Sequence, residues 1–287
     1  MITPDLIFDA KAMLGEGSIW DAHRQVLYWV DILGNRFWRF DPATGKQAAF
    51  EVGQFVGTIV PRRKGGVLLA LHHGLAAYDL DAKKLTMLCD PEAGKPEVRF
   101  NDGKCDPAGR FWAGTMPLEK RGPFGSLFCL FPDLHCERKL TEVWCSNGIV
   151  WSLDQRTMYY IDTPRGTVDA FDYVVETGAI SNRRVAITIP PDTGHPDGST
   201  LDADGMLWVA HWGGARVTRW DPRTGKLLAT VNVPAKQVSS CAFGGPKLDR
   251  LYITTARRGV ETTDPLAGGL FCADVGVKGL EAFEFAG

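Results

Sequence analysis

Hydrophobic and polar positions alternate along this chain in short runs rather than at helical spacing, and Gly, Pro, Asp and Asn bound the runs. Such punctuation predicts β-strands a few residues long and no long helix. Six of the runs are alike. A turn rich in Asp or Gly leads into an apolar and aromatic strand in RQVLYWVD, GGVLLALH, AGRFWAGT, QRTMYYID, DGMLWVAH and LDRLYITT. With Leu27, Val67, Phe111, Met158, Leu207 and Leu251 as equivalent positions, the intervals are 40, 44, 47, 49 and 44 residues. A further strand and a tight turn follow several of them, as in FWRFDPATGK, LAAYDLDAKK and VTRWDPRTGK. In the Asp-Pro-x-Thr-Gly-Lys turns Pro sets φ, and Gly accepts a positive one.

Repeats in the forties with about four short strands each predict an all-β fold, a six-bladed β-propeller that takes up residues 1–287 as one domain. A β-sandwich gives no reason for the regular spacing. Residues 50–61 can supply the inner strand of the second blade, and residues 268–279 complete the sixth. Either residues 280–285 or residues 6–10 then pair across the closure, which removes exposed sheet edges.

In a propeller the starts of the innermost strands meet at one mouth of the central channel. Ten or eleven residues before the six equivalent positions stand Glu16, Gly57, Asn101, Asn147, Asp197 and Ser240. Glu16, Asn101, Asn147 and Asp197 would thus converge as oxygen donors carrying two negative charges, a set that suits a hard divalent cation such as Ca²⁺. Zn²⁺, Mn²⁺, Mg²⁺ and Fe²⁺ stay open, although no His or Cys falls in this register. Asp202 and Asp204 lie in the turn before an equivalent strand, matching Asp106 to Gly109, and read as turn residues. The EF-hand reading of Asp202-Ala203-Asp204-Gly205 lacks a third ligand and its helices.

Composition narrows the function without naming it. A net charge of −2, with 45 % hydrophobic and 23 % charged residues, describes an ordinary globular protein. Lys and Arg are scattered and run together at most in twos and threes, as in Arg62-Arg63-Lys64, without a dense stripe, so nucleic acid is not an expected partner. No run approaches the roughly twenty apolar residues of a membrane helix, and residues 1–12 lack the pattern of a signal peptide. Seven cysteines without a C-x-x-C pair read as free thiols, and the expected compartment is the cytoplasm.

The pieces LGEGSIWD, RFNDGKCDPAGRFWAGTM, SNGIVWSLDQRTMYYIDT, PDGSTLDADGMLWVAHWGG and CAFGGPKLDRLYITTA resemble the SMP-30/gluconolactonase/regucalcin family of propeller lactonases. The resemblance covers nearly the whole chain in family order. It implies a divalent metal held by Glu16, Asn147 and Asp197, with Asn101 near metal and substrate and Arg99 on substrate oxygens. It also carries Glu119 over as a substrate contact.

The implied chemistry is hydrolysis of a sugar lactone, the metal acting as Lewis acid on the carbonyl oxygen. Asp197 would take a proton from water and return it to the leaving ring oxygen, or serve as ligand alone while the metal activates the water. A phosphotriesterase or aryl-esterase on the same scaffold, and a non-catalytic calcium-binding or interaction propeller, are the alternative readings. A surface ion pair with Glu97 or Asp102 is the plain alternative for Arg99. His72, His73, His195 and His211 read as ordinary polar residues, and Trp20, Trp151 and Trp212 as core or channel wall. Loops 118–126 and 192–196 would choose among lactones, and a monomer or weak homo-oligomer is expected.

Overall fold

The computed structural model describes residues 2–119 and 122–287. Among these residues twenty-four strands form six four-stranded antiparallel sheets, arranged as the blades of a propeller. The six inner strands are β2 (Gly15–Asp21), β6 (Val56–Pro61), β10 (Val98–Cys105), β14 (Ser146–Trp151), β18 (His195–Leu201) and β22 (Val238–Gly244). The six repeated sequence runs are the second strands: β3 (Val26–Asp31), β7 (Val67–Leu71), β11 (Phe111–Pro117), β15 (Thr157–Asp162), β19 (Leu207–Trp212) and β23 (Arg250–Thr255). Both sets are buried almost throughout, since they pack between neighbouring blades, whereas outer strands such as β9 (Lys84–Cys89) alternate with solvent.

Of the expected inner-strand segment 50–61, only the second half is inner strand. Phe50 belongs to β5 (Lys46–Glu51), the outer strand of the first blade. Of the two candidates for closure, the N-terminal one is used: β1 (Asp5–Phe8) pairs with β24 (Leu270–Asp274) as the fourth strand of the last sheet. The C-terminal tail instead runs across the channel mouth where the inner strands end. Gly279 N–H donates to the Leu248 carbonyl, Phe285 N–H to Pro61 and Ala286 N–H to Gly109, at 2.8, 3.0 and 3.0 Å. Phe285 is fully buried there, so the tail ties turns of several blades together.

Asp202 occupies the turn between β18 and β19 and is fully buried. Its carboxylate accepts from the amides of Asp204 and Met206 at 3.0 and 2.9 Å, from Trp208 Nε1 at 2.8 Å and from Arg219 Nε at 2.7 Å. Asp106 plays the same part in the third blade, accepting from the Ala108 and Arg110 amides, Arg110 Nε and Trp112 Nε1. Asp204 is 65 % exposed and pairs with Arg219. Asp202→Ala is therefore expected to cost about 3–5 kcal/mol by stranding buried donors, and Asp204→Ala at most about 1 kcal/mol. Thermal unfolding of the two variants checks this. Wild-type stability with lost activity in Asp202→Ala would contradict the structural role.

Candidate functional site

At the mouth where the inner strands begin, each breaks its pairing with the second strand. The irregularities fall between Glu16 and Ile19, Val56 and Thr58, Phe100 and Gly103, Asn147 and Ile149, Pro196 and Ser199, and Val238 and Ser240. A bulge frees residues from the ladder and re-aims their side chains. The four polar residues picked out by spacing sit at or beside these bulges.

Close approach of neighbouring blades explains the glycine that follows Asn147 and Asp197. A Cβ at Gly148 would lie 2.4 Å from Ser199 Oγ, and one at Gly198 2.8 Å from Ser240 Cβ. Only a residue without a side chain lets the strands converge so tightly.

The structure brings Glu16, Arg99, Asn101, Asn147 and Asp197 together, all 3–5 % exposed. Asn101 Nδ2 donates to Asn147 Oδ1 at 3.1 Å and to the Ser146 carbonyl at 2.8 Å, while its Oδ1 accepts from Arg99 Nη1 at 2.8 Å. Arg99 also donates to the Phe100 carbonyl at 2.8 Å. It makes no ion pair with Glu97 or Asp102 among the described residues, so the surface-pair reading fails. Asn147 Nδ2 donates to Thr163 Oγ1 at 2.7 Å, and that hydroxyl donates to the Pro196 carbonyl at 2.9 Å. This relay fixes the amide, whose oxygen accepts from Asn101 and keeps a second lone pair.

The carboxylates are differently placed. Glu16 Oε2 accepts only the Gly17 amide at 3.2 Å, and the buried Asp197 Oδ1 has no hydrogen-bond partner. Burial, reinforced by the charge of Asp102, pushes the Glu16 carboxyl up to about 8. Burial, then the charges of Glu16 and Asp102, raise Asp197 well above the usual carboxylate range. Three buried carboxylates, Glu16, Asp102 and Asp197, outnumber the positive charges of Arg99 and Lys104 that act on them, and buried charge left unbalanced is costly, so this cluster fits a bound cation. Among the described residues no three His, Cys, Asp or Glu side chains form a metal set. Here two carboxylates and a carboxamide oxygen supply the donors, the composition a hard divalent cation accepts.

Some neighbours escaped the sequence pattern. Asp102 shares the bulge with Asn101, and its own carboxyl is raised by burial. Lys104 crosses the channel to donate to the Ser199 carbonyl at 2.7 Å. Cys145 Sγ lies 3.6 Å from both Met116 Sδ and Asn147 Nδ2, forming a sulfur wall beside the amides. Only Asp102 had a signal, its place next to Asn101. Thr163 and Met116 come from second-strand ends whose convergence on the mouth no spacing count included.

Glu119 is exposed beyond β11, and among the described residues no hydrogen bond joins it to the cluster. In the loop 118–126, Lys120 and Arg121 lie outside the described residues. His211 is core: its ring nitrogens face Thr218 Oγ1 at 2.6 Å and the Thr193 carbonyl at 3.0 Å, and burial lowers its pKa to about 4. His195 is exposed, while Trp20 and Trp151 are buried.

A six-bladed propeller whose bulged inner strands turn carboxylates and carboxamides into one channel mouth defines a class of proteins by fold and site together. The chain belongs to the family described as the SMP-30/gluconolactonase/LRE-like region, which matches residues 14–257. Regucalcin of Xenopus laevis is 41 % identical over 284 residues, covering 96 % of this chain and 95 % of that protein. A Bacillus subtilis (strain 168) protein provisionally named sugar lactone lactonase YvrE is 38 % identical over 283 residues, covering 97 % of each. The crystal structure of a calcium-binding protein, regucalcin, from Agrobacterium tumefaciens str. C58 superposes with a TM-score of 0.94 at 27 % identity, covering 99 % of this chain and 98 % of that one. No helix among the described residues is long and apolar enough to cross a membrane.

Proposed function

We propose that this protein hydrolyses a sugar lactone to the aldonic acid, with a divalent cation, Ca²⁺ by the hardness of the donors, held by Glu16, Asn147 and Asp197. The observation that carries the reading is the buried, unpartnered Asp197 Oδ1 beside a second raised carboxylate. The family's gluconolactonase members and the name of the Bacillus relative support the substrate class. When bound, the cation supplies Lewis-acid stabilisation of the negative charge that develops on the lactone carbonyl oxygen.

The chain's own residues do the rest. Asp197 takes the proton of the attacking water as its oxygen bonds to the carbonyl carbon. The ring C–O bond then breaks, and the same proton goes to the departing ring oxygen, which leaves as a hydroxyl. Arg99, held through Nη1 by the Asn101 and Phe100 oxygens, presents its remaining guanidinium donors to substrate oxygens with little side-chain entropy left to lose, while Asn101, its own amide hydrogens taken by Ser146 and Asn147, holds that guanidinium beside the substrate. Cys145 and Met116 give the pocket a less polar wall, against which the sugar carbons can pack. Glu119 would contact a substrate only from the rim.

A pH-stat assay on a panel of aldonolactones and phosphotriesters, with and without chelator, tests the proposal. Aldonolactone hydrolysis lost on chelation and restored by Ca²⁺ is expected. Phosphotriester turnover without lactone turnover would favour the other hydrolase, and cation binding without any turnover the non-catalytic propeller.

A further inference from the structure

Basic residues that the sequence scatters singly or in twos and threes converge at the end of the propeller away from Asp197. The turn between β2 and β3 brings Arg24, β4 (Arg36–Asp41) brings Arg39, the turn after β6 brings Arg62, Arg63 and Lys64, and β9 opens with Lys84. They line two adjoining hollows of about 660 and 540 Å³ between the first and second blades, which share Arg24 and Arg62.

Only part of this charge is answered. Arg24 pairs with Asp21 at 3.0 Å, and Arg62 Nε donates to the Gly287 carbonyl at 3.0 Å. The Arg39 guanidinium lies over the Phe50 ring, 5.8 Å from its centroid, which holds it in place without neutralising it. Among the described residues Arg39, Arg63, Lys64 and Lys84 form no ion pair with a carboxylate. The carboxylates on these walls are Asp79, Asp81 and Glu284. Asp79 Oδ1 is already used by the amides of Asp81 and Ala82 at 2.9 and 2.8 Å.

Six cations against four carboxylates, Asp21 included, leave an excess of positive charge on a concave surface and focus a positive potential, in a chain whose net charge is −2. Guanidinium forks match phosphate oxygens, and lysines add point charges. Because the cations are divided between two hollows with arginines on the shared wall, an anion that answers both must be extended and multiply charged. We propose that this groove binds the phosphoanhydride chain of a small-molecule di- or triphosphate. A single phosphate would answer one hollow alone.

Calorimetric titration of the full chain with orthophosphate, pyrophosphate, tripolyphosphate and a nucleoside triphosphate at low ionic strength tests this. Pyrophosphate and tripolyphosphate are expected to bind at least about tenfold more tightly than orthophosphate, with affinity falling as salt is added. The nucleoside triphosphate arm shows whether a base adds to the shared chemistry. Arg39→Gln/Lys64→Gln/Lys84→Gln should weaken the binding at least about tenfold. The charge-matched Arg223→Gln/Lys226→Gln/Lys236→Gln, on the fifth blade and its connection to the sixth, should leave it unchanged, and it also controls for chelation by the titrant. The single variants Lys64→Gln and Lys84→Gln serve if the triple variant unfolds. Absence of saturable binding, equal affinity for orthophosphate, or equal loss in both triple variants would overturn the proposal. None of these readouts depends on lactone turnover.

Discussion

Asp197→Asn is expected to lower kcat/KM for the best lactone by about 10³-fold, the range of losing a positioned general base. Asparagine keeps the shape and can still offer one oxygen, but it cannot take a proton from water. Folding should not suffer. Asp197 Oδ1 has no partner to lose, and its charge is opposed by burial and by Glu16 and Asp102, so the metal-free variant should melt at or above the wild-type temperature near pH 8. Glu16→Gln is the informative companion. It removes charge from the donor set without removing the base, so excess Ca²⁺ should restore its activity and should not restore that of Asp197→Asn. Full activity in Asp197→Asn would sink the mechanism, and rescue of both variants by Ca²⁺ would reduce Asp197 to a ligand.

Chelator-treated protein is expected to lose stability as pH rises. The sign follows from the carboxyls. Glu16 titrates near 4.5 in the unfolded chain and about 8 in the fold, so the folded state holds its proton more tightly. The stability tied to that proton is fully present below about pH 4.5 and is lost as pH climbs through 8. Asp197 adds a change of the same sign, since its carboxyl is also raised. A fall in melting temperature on the order of 5–10 °C between pH 5.5 and 8.5 is expected for the metal-free wild type. Ca²⁺ binding should reverse it, with protons released to buffer near pH 7 and an affinity that grows with pH. Calorimetry in two buffers of different ionisation enthalpy reads the protons directly. A flat melting profile without chelatable metal, or cation binding without proton release, would show that these carboxylates do not form the cation site.

The propeller was legible because each blade must bury a strand between its neighbours. That demand writes the same apolar run into RQVLYWVD and DGMLWVAH, and the repeat can be counted. The same count set Asp197 apart from Asp202 and Asp204, because place in the repeat, rather than nearby acids, decides which side chain reaches the channel mouth. Closure was not legible, since residues 6–10 and 280–285 are both short and partly apolar; β1 took the edge of the last sheet and the tail tied the far turns.

What the sequence determined by itself, then, is the local and periodic part of this protein: strand length, blade number, and the register of Glu16, Asn101, Asn147 and Asp197. Tertiary structure alone decided the contacts between chain segments far apart. Bulges aim those side chains, Thr163 and Ser146 orient the amides, burial and then the neighbouring carboxylates raise Glu16 and Asp197, and Arg24, Arg39 and Lys84 meet the 62–64 triplet in one groove. The physical reason is that burial and charge act through space. A periodic count predicts which strand a residue occupies, whereas its desolvation and its neighbours' fields exist only once the ring of blades has closed.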